Sequence, residues 1–160
     1  MNYYLSNEVA KHTLYPIIGE AVKTGIRGSA NYFVKSFKAK EEIPLLVDSK
    51  GIFQVFTKGL LFRGYKNNRF ISILIPFKSI NQFELNKGAE KVQPIFLSPM
   101  WVLLNLGVRL EYARYFRASI SEYSVGQTQL ILKTAEFSME LETSGYSYES
   151  QERFFGKLKL

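Results

Sequence analysis

The chain has 160 residues, 46% hydrophobic and 15% aromatic, enough for one packed domain and too apolar for a disordered tail. It has no cysteine, which excludes disulfide-stapled scaffolds and thiolate metal sites and points to a cytosolic setting. The formal charge is +7, with eleven basic residues against three acids from Lys50 to Arg117 and four against six from Ala118 onward, a field that favours anionic partners.

In chain order, the segment after Met1 lacks the basic start and unbroken apolar run of a secretory leader. From Thr13 to about Lys40, Leu14, Ile17, Ile18, Ala21, Val22, Ile26, Phe33, Val34 and Phe37 recur mostly three and four apart, the helical period. Thr13 suits a cap and Pro16 a first turn, while Gly19, Gly25 and Gly28 favour a break, so one helix or two are expected. Residues 1–40 therefore read as a helical N-terminal extension. Lys23, Arg27, Lys35 and Lys38 make it a basic amphipathic segment that packs on the remaining chain or lies in a membrane interface.

Residues 41–160 read as the main domain. Leu45 to Val47 is a short strand and Asp48 to Gly51 a turn. Ile52 to Thr57 and Leu60 to Tyr65, separated by Lys58 and Gly59, predict a hairpin, and Lys66 to Asn68 supplies the next turn. Phe70 to Ile75 puts Ile71, Ile73 and Ile75 on one side and Phe70, Ser72 and Leu74 on the other, a well-buried strand that Pro76 ends. Phe83 and Leu85 then continue the meander.

Pro94 to Val108 is the longest nearly uncharged apolar stretch, and it is shorter than a bilayer span requires. A helix or insertion is expected from Pro99 to Leu106, then a strand from about Val108 to Phe116. Thr128 to Leu132 and Phe137 to Leu141 alternate as a hairpin joined by Ala135 and Glu136. Ser147 caps a last helix to Leu158, with Gln151, Phe154, Phe155 and Leu158 on one side.

About seven antiparallel strands followed by a terminal helix describe an α+β fold, a small barrel closed at its open end by that helix. The run from Gly51 to Tyr65, and Ile73 to Ile80 with its Ile75-Pro76 strand end, is similar to GRAM and bacterial pleckstrin-homology-like sequences. The resemblance covers about residues 45–160. It implies a PH-like barrel used as a binding platform, on which basic residues in and beside the first hairpin hold anionic groups. Here those positions are Lys58, Arg63, Lys66 and Arg69. The turn at Lys58 and Gly59 is shorter than the long first loop of phosphoinositide-binding members.

Other patterns were weighed for chemistry. Gly25 and Gly28 match the Gly-x-x-Gly spacing of RNA-clamping loops, but the flanking strand order of such loops is missing and a helix break explains the glycines. Trp101, with Phe96 and Met100, precedes Arg109, Arg114 and Arg117, and Trp101 and Phe37 are candidate apolar contacts. Tyr112, Tyr115, Phe116 and Tyr123 are of the type that stacks bases. The chain has one histidine, His12, and one aspartate, Asp48, too few for a catalytic constellation or a metal set; Glu140 and Glu142 share a strand face. The reading is a non-enzymatic binding or adaptor module, without metal, cofactor or small-molecule substrate. It docks on an acidic protein or anionic membrane surface from the cytoplasm, with self-assembly as a third option. Its alternative is a nucleic-acid-binding module using the basic face of residues 50–117.

Overall fold

The computed structural model describes residues 2–22, 31–40, 47–144 and 148–156. In chain order the elements begin with β1 (Asn2–Tyr4), α1 (Lys11–Ile18), β2 (Asn31–Ala39), β3 (Lys50–Phe56), β4 (Gly59–Lys66) and β5 (Arg69–Pro76). They continue with β6 (Ile80–Asn86), β7 (Glu90–Val92), α2 (Pro99–Asn105), α3 (Leu110–Ala113) and β8 (Tyr123–Val125). The last are β9 (Gln129–Thr134), β10 (Phe137–Ser144) and α4 (Tyr148–Phe155). The chain divides into two compact units, residues 1–86 with 127–160, and residues 87–126.

The larger unit is built on one eight-stranded antiparallel sheet in the order β1-β5-β4-β3-β2-β10-β9-β6. The expected seven-stranded barrel closed by a terminal helix is therefore corrected to an open sheet with β1 and β6 at its edges. The reason lies after β5. Pro76 ends that strand, and one 3-10 turn, Phe77–Ser79, carries the chain away from it. Consequently β6 pairs with β9, not β5, and the free edge of β5 takes β1, with Tyr3 opposite Ile73. The meander thus runs from β2 and stops at β5.

Alternation decides which face of each strand is covered. Phe53, Val55, Leu60, Phe62, Ile71, Ile73 and Ile75 point to one face and meet Tyr32, Leu130, Leu132, Met139 and Leu141 from the other strands. Helix α4 covers this core with Phe154 and Phe155; the Phe155 ring lies 5.7 Å from Phe53 and 4.9 Å from Phe83. Tyr32 donates a buried hydrogen bond to Gln151 Oε1, joining β2 to α4. On the opposite face of β3, β4 and β5, α1 lays Leu14 and Ile18 on Phe56, Leu61 and Leu74. Both sides of β5 are thereby filled from Ile71 to Ile75, whereas Phe70, expected to be buried with them, is exposed.

One helical and one strand expectation are corrected. Residues 31–39 form strand β2, because Tyr32 and Val34 alternate inward and pair with β10 and β3, a non-local gain that outweighs the helical spacing. The extension read as helical over 1–40 therefore holds β1 and β2 as well as α1. Helix α1 begins after Ala10, so Thr13 and Pro16 lie inside it. Gly19 ends it at φ 78°, a left-handed conformation that glycine adopts without a Cβ clash. The strand expected from Val108 to Phe116 is instead α3 followed by a 3-10 turn, Arg114–Phe116.

Other expectations hold. The hairpins β3-β4 and β9-β10 form where turn residues and alternation place them, and α2 and α4 occupy the predicted helical stretches. The strand from Leu45, the Gly25-to-Gly28 spacing, the Ser147 cap and Leu158 lie outside the described residues. Among the described residues no helix is long and apolar enough to cross a membrane.

The smaller unit pairs β7 with β8 and encloses Met100, Ala113 and Tyr123, with Leu103, Leu104, Val108 and Leu110 packed around them. Ser98 caps α2 by accepting from the Trp101 backbone N–H at 3.1 Å. Its organising group is Glu122, fully buried, which accepts from the Ser98 hydroxyl, from Ile95 N at 3.0 Å, from Ala118 N and from Ser119 N at 3.1 Å. The Ser98 hydroxyl and these amides hold the carboxyl below the usual carboxylate range, outweighing the burial that would raise it.

Candidate functional site

Helix α1 covers only one half of the outer face of β3, β4 and β5. On the other half, alternation brings Lys50 and Ile52 of β3, Arg63 and Tyr65 of β4, and Phe70 of β5 to the same side. Cross-strand pairing sets Ile52 opposite Arg63 and Tyr65 opposite Phe70, and the last two rings lie 4.8 Å apart. Ile52, Tyr65 and Phe70 are exposed. A cleft of about 360 Å³ runs between these residues and Asn7. A second, of about 660 Å³, adjoins it at Asn7 and Phe70 and carries Arg69 and one acid, Glu8.

Arg63 dominates the electrostatics. Its Nε is buried without a hydrogen-bond partner, and no carboxylate lies within ion-pair distance of it among the described residues. Burying a guanidinium donor unpaired costs free energy, and an arriving carboxylate or phosphate oxygen would recover it. Lys50 sits over the Phe33 ring at 5.3 Å and adds a second cation. Tyr65 donates to Asn68 Oδ1 at 2.6 Å, which fixes one ring of the aromatic pair.

The four cations selected from sequence do not form one patch. Lys58 lies exposed in the β3-β4 turn, whereas Lys66 and Arg69 face each other at the opposite end of β4 and β5, about 25 Å away at strand rise. Lys66 donates to Val47 O at 2.6 Å and lies 4.0 Å from the Asp48 carboxylate, so it closes a turn. Arg63 and Arg69 part as well, because the alternation that turns Arg63, Tyr65 and Phe70 to the outer face turns Arg69 with Ile71 and Ile73 to the other. Arg63 instead stands with Lys50, which the sequence placed in a turn, and with Tyr65 and Phe70, which it placed in strands; none of the three was selected as a site residue. The same alternation that buried Leu60 and Phe62 could have found Arg63 and Tyr65 as their outward neighbours.

Of the apolar candidates, Phe37 is half-buried and stacked on Phe137 at 5.5 Å, which makes it part of the core. Trp101 is partly buried, with Phe96 against its ring at 5.0 Å. The smaller unit nevertheless exposes many other apolar side chains, among them Phe96, Leu97, Leu106, Tyr112, Tyr115, Phe116 and Ile120. Here Arg114 donates to the Tyr123 hydroxyl at 3.0 Å and Arg117 to Tyr123 O at 3.1 Å.

His12 is exposed on α1, Asp48 lies in a turn, and Glu142 pairs with Lys35 at 2.8 Å. Among the described residues no three of His, Cys, Asp and Glu converge as a metal set. Compared with protein-family models, curated proteins and solved structures, the chain gives no match.

Proposed function

We propose that the protein is a non-enzymatic binding module that docks on an acidic surface through Arg63 and Lys50, with Tyr65 and Phe70 adding apolar contact. The observation that carries this reading is the Arg63 Nε, buried and unpartnered beside a cleft on an otherwise ordered sheet face. A guanidinium in that position matches the paired oxygens of a glutamate or aspartate side chain, and exposed rings beside it supply desolvated area. The partner supported best is an Asp/Glu-rich protein segment.

The test is fluorescence anisotropy of a labelled glutamate-rich peptide against the full chain and its K50E/R63E variant. Saturable binding that weakens with salt, and a Kd at least about tenfold higher in the variant, is expected. Equal binding by the two chains would exclude the site.

A second reading has its own support in the exposed Tyr65 and Phe70 rings, because aromatic rings beside cations on a sheet face also stack single-stranded bases. A labelled oligonucleotide in the same titration separates the two. Preference for the oligonucleotide, with a steep salt slope, would replace the acidic-peptide reading with nucleic-acid binding.

A further inference from the structure

Eighteen large hydrophobic side chains are exposed among the described residues, and eleven of them fall in residues 87–126, so exposed apolar surface is concentrated in the smaller unit. Five of its aliphatic and aromatic side chains stand well out: Phe96 at 72%, Leu97 at 66%, Leu106 at 74%, Tyr115 at 74% and Ile120 at 75% of full exposure. Scattered apolar residues on a soluble surface need no account, but Phe96, Leu97 and Ile120 stand on two segments that Glu122 ties together, its carboxylate accepting from Ile95 N at 3.0 Å and from Ser119 N at 3.1 Å.

Backbone conformation points the same way. Ser98 N bonds to Ile95 O at 2.9 Å, making a turn with Phe96 and Leu97 at its tip. Leu97 has φ 62°, a left-handed conformation that suits glycine or asparagine and costs a leucine roughly 1 kcal/mol. Leu97 gains no burial in return. Strain held without a packing gain is characteristic of a functional position.

Charge selects the occupant. The three acids of the unit are all engaged: Glu90 with Lys87 and the Tyr123 hydroxyl, Glu111 with Arg109 at 3.1 Å, and Glu122 inside the unit. Lys91 and Arg117 have no carboxylate partner among the described residues, while Arg114 is linked to Glu90 through the Tyr123 hydroxyl; the five basic residues of the unit still outnumber its three acids. The surface therefore offers projecting apolar side chains with an uncompensated positive charge. A protein partner would have to provide a shaped socket for each projecting side chain, whereas fluid acyl chains close around them without one. We infer that the smaller unit docks on the interface of an anionic bilayer, inserting Phe96, Leu97, Leu106 and Ile120 while its lysine and arginines meet lipid phosphates.

The experiment uses the full chain with phosphatidylcholine vesicles, alone or with about 30 mol % phosphatidylserine. Trp101 is the only tryptophan and lies beside Phe96, so its emission reports entry of this surface into the bilayer. Co-sedimentation with anionic vesicles in preference to neutral ones, and a blue shift of Trp101, are expected. The L97N/L106S/I120S chain should partition at least about tenfold more weakly. L97N alone should weaken partition while melting no lower than the parent, because asparagine accepts positive φ; this separates lost contact from lost folding. Absence of vesicle binding, equal binding to both vesicles, or unchanged partition of the triple variant would overturn the inference. So would a parent dimer that becomes monomeric in the triple variant, which would show a second copy covering the surface. The K50E/R63E chain is run beside it. Its loss of peptide binding is independent of the vesicle result, so the two readings fail separately.

Discussion

Tyr32 illustrates how one residue can be misassigned from its neighbours and still be decisive. It lies in a segment whose apolar spacing is helical, yet its side chain is fully buried between β3 and α4 and donates to Gln151 Oε1. Burial pushes the phenol pKa up, so the hydroxyl keeps its proton and remains the donor. Tyr32→Phe keeps the ring contacts with Phe53 and Phe155 but leaves the Gln151 acceptor buried and unsatisfied, at a cost of about 1–3 kcal/mol. Urea unfolding should show a lower midpoint, and adding Gln151→Leu should recover much of the loss, since both polar groups are then gone. Recovery below the error of the measurement would remove the hydrogen bond as the cause. The same scale explains the candidate site: Arg63 was legible as a cation, but its orphaned Nε depends on what surrounds it.

At the scale of elements, turn chemistry and alternation were the reliable signals. The β3-β4 and β9-β10 hairpins follow from local residues whose energies hardly depend on the remaining chain. Strand β2 and the route from β5 to β6 were not legible, because a strand's partner is chosen by contacts far away in sequence. Close packing between elements provides a direct check. A Cβ on Gly59 would lie 2.6 Å from Ile18 Cγ2 and 2.6 Å from the Ile75 carbonyl oxygen, and the carbonyl belongs to a paired strand that cannot give way. Gly59→Ala should therefore destabilise the larger unit by about 1–3 kcal/mol, with an unchanged denaturant slope. A variant as stable as the parent would mean that α1 does not sit over the hairpin in this way.

For the whole molecule, acid should act unequally on the two units. Glu122 is buried at the centre of the smaller unit, its carboxyl held below the usual range by the Ser98 hydroxyl and three backbone amides. A depressed folded pKa contributes stability above the ordinary carboxylate value, and that stability is lost as pH falls through the depressed one. Hydrogen exchange measured stepwise below about pH 4.5 should show amides of residues 95–122 opening before those of β3, β4 and β5. Glu122→Gln should open the same amides at neutral pH, by about an order of magnitude in exchange rate, because a neutral amide cannot accept from all four donors. Simultaneous opening of both units at every pH would show that Glu122 does not control the smaller one.

The sequence by itself determined the local hairpins, the apolar side of α4, the lack of a bilayer-length helix among the described residues and the concentration of cations between Lys50 and Arg117, since each rests on composition or short-range periodicity. Tertiary structure alone decided that the sheet stays open, that residues 31–39 are a strand, that Lys58 and Arg69 stand at opposite ends of the sheet, and that residues 87–126 expose their apolar side chains. The physical reason is the range of the energies. Turn and alternation preferences act over a few residues, whereas strand pairing, burial and the company a charge keeps depend on which distant segments the fold brings together.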